Sequence, residues 1–233
     1  MKLLKKIWYK IKANPAIGIP YDKYIGKRKL QFLLRNQTKE INENGVHYLQ
    51  TVEELLCSSN ALFYTYAGTL LGIIRDRKLI KWDMDIDYAV VITESFGWED
   101  LEKIMVASGY KKVREYVFAG EIKEQAYQIG KLRVDFFGQF YDDEAMIQYS
   151  YDRVPGIKYP DVDALSVYKV TLPKVTKTKY IQVDGVEISV PENAEDILAS
   201  IYNDDWRIPN PNWVNNSGKC SKLIDGEFGY QVI

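Results

Sequence analysis

The most constrained stretch of the chain is residues 66–91, YAGTLLGIIRDRKLIKWDMDIDYAVV. Asp83, Asp85 and Asp87 stand there at alternate positions and run directly into Tyr88-Ala89-Val90-Val91-Ile92. Alternation of this kind predicts a β-strand. The three carboxylates then share one face, with Met84 and Ile86 on the other. Such a strand could be a solvated edge, but like charges held this close call for a cation among them. Mg²⁺ suits them because it takes hard oxygen ligands together with substrate phosphates, and Mn²⁺ is the alternative. Upstream, residues 61–67 read as a strand, Gly68-Thr69 as a turn, and Leu70-Leu71-Gly72-Ile73-Ile74 as the start of a helix that Thr69 can cap. A helix N-terminus after a tight turn presents free N–H groups to an anion. A phosphate cradle and a candidate metal site thus fall within one βαβ-sized unit, as a nucleotide-handling site requires.

Gly68-Thr69-Leu70-Leu71-Gly72, then Arg75, then Trp82-Asp83-Met84-Asp85-Ile86-Asp87 closely resembles the LicD/fukutin-related family, whose motif is G-[ST]-L-L-G, an Arg, and W-D-x-D-x-D. The resemblance implies an α+β nucleotidyltransferase fold of the polymerase-beta type. That fold has a mixed β-sheet flanked by helices, here with added strands and a C-terminal helix. A second stretch, Val190-Pro191 through Leu198, Tyr202, Asp205-Trp206 and Pro209, resembles the family's C-terminal signature. Asn203 stands where that signature has Gly, Lys81 where the family often has Pro, and Asp76 where it often has His. The resemblance spans roughly residues 45–211.

The remaining periodicities fill in the domain. Residues 38–58 predict a helix with Ile41, Val46, Leu49, Val52, Leu55 and Leu56 on its apolar stripe. His47, the only histidine, lies on it and reads as structural or exposed, which leaves a His-based zinc site or triad little to work with. Residues 98–108 predict a second helix, and 112–118, 122–129 and 132–140 predict strands. In the last of these, Asp135 sits among apolar neighbours, which is costly unless it pairs with Arg133 or another base, or binds a metal. The resembled fold carries a third carboxylate on a neighbouring strand, and Asp135 is the position that matches. Asp142 and Asp143 read as a turn. Asp184-Gly185 between two apolar-alternating runs predicts a hairpin, followed by a helix over 192–202 opened by Pro191. Residues 212–233 carry no legible motif.

The net charge of −1 implies no bulk attraction to nucleic acid, but the charge is unevenly spread. Residues 1–40 hold 11 Lys/Arg and 2 Asp/Glu. Residues 1–12, MKLLKKIWYKIK, read as a basic amphipathic helix, too short in its apolar run for a signal peptide or a membrane span. It either packs on the domain or lies on an anionic membrane surface. The expected division is residues 1–37 as basic helix and connector, 38–211 as catalytic domain and 212–233 as a tail packed on it. Cys57 and Cys220 are the only cysteines and form no disulfide scaffold; free thiols in the cytoplasm are expected.

On this reading Asp85 and Asp87 bind the metal, Asp135 completes the site, and Asp83 ligates or positions from beside it. Backbone N–H groups after Gly68, with Thr69, hold phosphate oxygens. Arg75 either adds a forked phosphate contact or pairs with Asp76 or Asp83. The resemblance implies transfer of phosphocholine or a polyol phosphate from a CDP-linked donor to a glycan or its lipid-linked precursor. A choline head group would want an aromatic cage, for which Tyr149, Tyr151, Tyr159, Trp206 and Trp213 are candidates, though aromatics at strand spacing also build cores. Two other classes stay open: an NTP-dependent nucleotidyltransferase using the same acids, and a non-catalytic glycan-binding protein with a vestigial site.

Overall fold

The computed structural model describes residues 27–210 and 212–233, with positions 4, 7, 8, 11, 16 and 17. The expected helix over 1–12 therefore lies largely outside the described residues. Helix α1 spans Lys27–Cys57 and starts well before the predicted residue 38. The last chain breaker of the N-terminal segment is Gly26; beyond it Lys, Arg, Leu and Gln, all good helix formers, carry the helix upstream into what was read as a connector. Its buried stripe is Ile41, Leu49, Val52 and Leu56, with Val46 and Leu55 half-buried beside it. His47 is exposed.

Strand β1 (Phe63–Thr65), helix α2 (Ala67–Asp76) and strand β2 (Ile86–Val91) follow, then helix α3 (Trp98–Ala107). Strands β3 (Lys111–Phe118), β4 (Glu121–Ile129), β5 (Leu132–Asp142), β6 (Ala145–Asp152) and β7 (Ala164–Pro173) form a long antiparallel run. The hairpin β8 (Thr178–Val183) and β9 (Val186–Pro191), helix α4 (Ala194–Tyr202) and strand β10 (Ser221–Gln231) complete the described elements. Pro191 ends β9, and α4 begins only after it.

The main sheet has the order β1-β2-β5-β4-β3-β10-β7-β6, and β6 also pairs with the end of β5. Backbone pairing therefore runs in a closed circuit through β5, β4, β3, β10, β7 and β6. β2 lies parallel to β5 and antiparallel to β1, and every one of its residues is buried. That matches its unbroken apolar composition after Asp87, since a strand covered on both faces does not alternate. The segment read as a featureless tail supplies β10, which bridges β3 and β7. Its pairing is irregular between Leu223 and Phe228, where Asp225-Gly226 interrupts the alternation that would have announced a strand.

The β8–β9 turn has φ of 48° at Asp184 and 85° at Gly185, as a two-residue hairpin with both central residues left-handed requires. Ser189 fastens this hairpin to β1. Its Oγ donates to Phe63 O and its carbonyl accepts from Thr65 Oγ1, each at 3.0 Å. Its N–H donates to Oε1 of Glu53 on α1, which also accepts from Tyr88 Oη on β2, both at 3.0 Å. One buried carboxylate thus joins α1, β2 and β9, while its Oε2 is buried without a partner.

Burial pushes the Glu53 carboxyl up to about 7, against the opposing pull of its two hydrogen bonds. A carboxyl whose folded-state pKa lies above its unfolded value binds its proton preferentially in the folded state, so its stabilisation is lost as pH rises through the folded value. Glu53→Gln keeps an acceptor for Ser189 and Tyr88 without the charge. It should match the wild type at pH 5 and exceed it at pH 8 by roughly 1–3 kcal/mol in denaturant unfolding. Equal stability at pH 8 would contradict this.

Candidate active site

β1 leads into α2 through Tyr66, whose N–H donates to Asp87 O at 2.9 Å. Ala67 then takes φ 45°, a region that favours glycine, and the chain turns sharply into the helix. The first intrahelical bond runs from Leu70 N to Tyr66 O at 3.0 Å, so the N–H groups of Ala67, Gly68 and Thr69 precede the helical ladder. The expected cap is corrected here. The N-cap is Tyr66, and it makes no side-chain cap bond. Thr69 is fully buried in the first turn, and its Oγ1 accepts the Asp87 N–H at 3.0 Å. The hydroxyl therefore ties α2 to the start of β2 rather than facing a ligand.

Two glycines of the motif allow close approach. A Cβ at Gly68 would lie 2.7 Å from Asp83 Oδ2, and one at Gly72 would lie 2.5 Å from Lys78 O. The chain after α2 can thus fold back against the helix and bring Asp83 to its N-terminus. Asp83 arrives by a turn, its N–H donating to Ile80 O at 3.0 Å and its Oδ1 accepting from Met84 N–H at 3.1 Å. The predicted strand through all three acids is therefore shorter in fact: β2 begins at Ile86, and only Asp87 lies on it.

The acids nonetheless converge. Asp87 and Asp135 are register partners on the parallel pair β2 and β5. Oxygens of Asp85, Asp87 and Asp135 lie within 4.8 Å of one another. Together with Asp83, Gly68 and Tyr66 they line a cavity of about 400 Å³ whose far walls come from β3, β4, β6, β7 and β10. Arg133 pairs with Asp85, and its Nε stands 2.9 Å from Asp135 Oδ1. The alignment of that second contact is poor, so both atoms remain buried without a hydrogen-bond partner. Arg114 Nη2 donates to Asp135 Oδ2 at 2.5 Å and to Glu124 Oε1 at 2.7 Å.

Burial, with Asp85 adding to it, pushes the Asp83 carboxyl up to about 7. Burial and Asp135 raise Asp85, against the pull of Arg133. Asp87 is held well above the usual carboxylate range by burial, then by Asp85, Asp83 and Asp135. Glu124 is pushed up to about 7 by burial, with Arg114 opposing and Asp135 adding.

Arg75 stands apart from this cluster. Its Nε and Nη2 donate to Asp76 at 2.7–3.1 Å, the pairing alternative foreseen for it. It lines a second cavity of about 240 Å³ with Trp82, Trp206 and Asp205, adjoining the first at Gly68, Asp83, Tyr202 and Trp213. Of the candidate cage aromatics, Tyr151 and Trp213 line the main cavity and Trp206 and Trp213 the second. Tyr149 packs on Phe118 and Tyr159 on Phe228, away from both. Cys57 and Cys220 are unpaired, and Cys220 lies on the main cavity wall.

Sequence reasoning named Arg133 as a possible partner of Asp135 but missed Arg114 and Glu124. Both stand on half-apolar strands, at alternate positions with Tyr116 and Ala126, so only the face they share with those residues could have marked them.

Because Asp83, Asp85, Asp87 and Glu124 take up protons on folding, their favourable contribution is greatest at low pH and is lost as pH rises, for Asp83 and Glu124 through about 7. Asp87→Asn removes one of the repelling charges. It should raise the metal-free unfolding midpoint at pH 8 by roughly 3–8 °C. Mn²⁺ should raise the wild-type midpoint further, and Asp87→Asn should abolish that rise. A lower midpoint at pH 8, or an undiminished Mn²⁺ effect, would contradict this assignment.

Residues 60–193, more than half the chain, match the family described as LicD/FKTN/FKRP, nucleotidyltransferase domain. A crystal structure of ANT(2")-Ia in complex with adenylyl-2"-tobramycin is similar over 72% of this chain and 82% of that one, at 17% identity. Its TM-score of 0.39 is too low to add to the assignment. No curated protein matches the chain. The family match and the acid-lined cavity behind a strand–helix turn agree, and the chain therefore belongs to the LicD/FKTN/FKRP family, as a transferase with a nucleotidyltransferase domain.

Proposed function

We propose that the protein transfers a phosphoryl-alcohol unit, phosphocholine or a polyol phosphate, from a CDP-linked donor to a hydroxyl of a cell-surface glycan or its lipid-linked precursor. CMP is the leaving product. The observation that carries this reading is the convergence of Asp85, Asp87 and Asp135 opposite the open N-terminus of α2, in a chain of this family.

The donor set fits a divalent cation. It consists of hard carboxylate oxygens within 4.8 Å of one another, and Asp135 Oδ1 is buried without a hydrogen-bond partner. Asp85, Asp87 and Asp135 would hold Mg²⁺ or Mn²⁺, with Asp83 beside them. Such an ion supplies charge neutralisation and Lewis acidity to a diphosphate. The chain's own part is positioning. The N–H groups at the start of α2 offer donors to phosphate oxygens, and the helix dipole favours negative charge there. The acceptor hydroxyl attacks the phosphorus that bears the alcohol, the bond from that phosphorus to the CMP oxygen breaks, and a cavity carboxylate takes the hydroxyl proton.

The smaller cavity supports a choice among donors. Trp82, Trp206, Trp213 and Tyr202 line it with the carboxylates of Asp83 and Asp205. The Arg75 guanidinium there is paired with Asp76, and Arg207 lies over Trp206, which leaves Trp82, Trp213 and Tyr202 as the aromatics for a ligand. Aromatic faces beside negative charge suit a quaternary ammonium, which makes CDP-choline the first donor to test. Among the described residues no helix is long and apolar enough to cross a membrane. The basic segment 1–12 supports working at the cytoplasmic face of the plasma membrane, where a lipid-linked acceptor is reached.

The test is a donor screen with Mg²⁺ over CDP-choline, CDP-ribitol, CDP-glycerol and the four NTPs, scored by CMP and pyrophosphate release. CMP release from a CDP-alcohol is expected, and Asp85→Asn should lower its rate by at least about 100-fold. Pyrophosphate release from an NTP alone would replace this reading with nucleotidyl transfer.

A further inference from the structure

We infer that Arg114 is a diphosphate-binding residue that, before a divalent cation binds, stands in for the cation on Asp135. The inference rests on the proposed reaction only in requiring a diphosphate-containing substrate.

Arg114 projects from β3 onto the wall of the main cavity. Its single Nη2 carries both carboxylate bonds, to Asp135 at 2.5 Å and to Glu124 at 2.7 Å. Its Nε is buried without a hydrogen-bond partner. A guanidinium offers five N–H donors in a fixed fork, and a bidentate grip on a carboxylate or phosphate uses two nitrogens. Arg114 grips neither acid in that way. Its guanidinium carbon also lies 5.1 Å from the centroid of the Tyr116 ring, a face over which a planar cation can shift at little cost.

The two neighbouring arginines are placed differently. Arg133 touches Asp85 and Asp135 but does not line the main cavity. Arg75 is committed to Asp76 through Nε and Nη2 and lines only the smaller cavity. Among the described residues, Arg114 is thus the guanidinium placed to face both the carboxylates and a ligand in the main cavity.

Charge gives the direction of the exchange. Five carboxyl groups, Asp83, Asp85, Asp87, Asp135 and Glu124, face two guanidiniums, Arg114 and Arg133, so negative charge is in surplus whenever the acids ionise. Asp135 is shared between Arg114 and the triad, so an ion held by the triad competes with Arg114 for that carboxylate. Once the ion has offset the surplus, a phosphate becomes the stronger partner for the fork.

The test is a pair of calorimetric titrations on the full chain, wild type and Arg114→Gln. The first uses Mn²⁺ alone; the second uses CDP and, separately, cytidine at saturating Mn²⁺. Removing a competitor for Asp135 should tighten Mn²⁺ binding roughly threefold to tenfold. Removing a phosphate ligand should weaken CDP binding about tenfold to a hundredfold and leave cytidine within about threefold. These opposite signs separate the proposal from a bracing role, which would weaken both ligands. Weaker Mn²⁺ binding, unchanged CDP binding, or equal losses for CDP and cytidine each overturn it.

A measurement on the wild type guards against misfolding of the variant. In [¹⁵N]arginine spectra, the Nε–H signal that Arg114→Lys removes should move with CDP plus Mg²⁺ and stay put with cytidine plus Mg²⁺. No movement with CDP overturns the proposal. If the wild type binds another nucleoside diphosphate in preference to CDP, the CDP-donor reading falls alone, and the same contrasts are run with that diphosphate and its nucleoside. If it binds none, both fall.

Discussion

Two aspartates face each other across a parallel strand pair in the middle of the fold, and their mutual repulsion organises what surrounds them. Asp87 on β2 and Asp135 on β5 are direct register neighbours. Asp85 joins them from the residue before β2, and burial strengthens the repulsion because little water is present to screen it. Arg133 and Arg114 meet different oxygens of Asp135 and balance part of the charge. An arrangement that costs stability must be held by structure that supplies it. Here the rest of β2 is buried and apolar, Tyr88 stacks on Phe136 at 5.8 Å, and Tyr66 and Thr69 each bond to the Asp87 backbone. The acids are fixed from behind by the core while their oxygens face the cavity.

The second half of the chain encloses what the first half positions. β1, α2 and β2 bring the helix N-terminus and the acids together; β3, β4 and β6 place Arg114, Glu124 and Tyr151 across from them. The approach to β10 adds Trp213 and Asn216, and Cys220 and Ser221 follow at its start. Asn216 has φ 60° and its Nδ2 is buried without a partner, so backbone strain and an unsatisfied donor occur together on the cavity wall. Asn203, at the end of α4, has φ 66° and ψ −178°, a conformation typical of glycine, and its Oδ1 accepts the Lys219 N–H at 3.4 Å. The Asn found where the resembled signature has Gly thus takes a glycine-like backbone shape and helps hold the cavity-lining loop against α4.

How much of this could be read in the sequence follows from which features are local. The acid triad was legible because Asp85 and Asp87 lie within one motif and Asp135 sits conspicuously among apolar residues. The hairpin at Asp184-Gly185 was legible because two left-handed residues have few sequence solutions. The strand carrying the acids was overextended, since an alternating pattern looks the same whether it continues a strand or precedes one. Thr69 looks like a cap because Ser, Thr, Asp and Asn usually occupy that place; the turn at Ala67 starts the helix three residues earlier and turns the hydroxyl inward. β10 was missed because its pairing with β3 and β7 is non-local and Asp225-Gly226 breaks its pattern. Arg114 and Glu124 were missed for a related reason: a cavity face assembled from distant strands leaves no contiguous motif.

The central claim is that Asp85, Asp87 and Asp135 form one cation site. Anomalous diffraction at the manganese edge from a crystal grown with Mn²⁺ measures it most directly. The account predicts one strong peak within coordination distance of an oxygen from each of the three carboxylates. A peak elsewhere, or none at those oxygens while Arg114 and Arg133 keep their pairings, would contradict it.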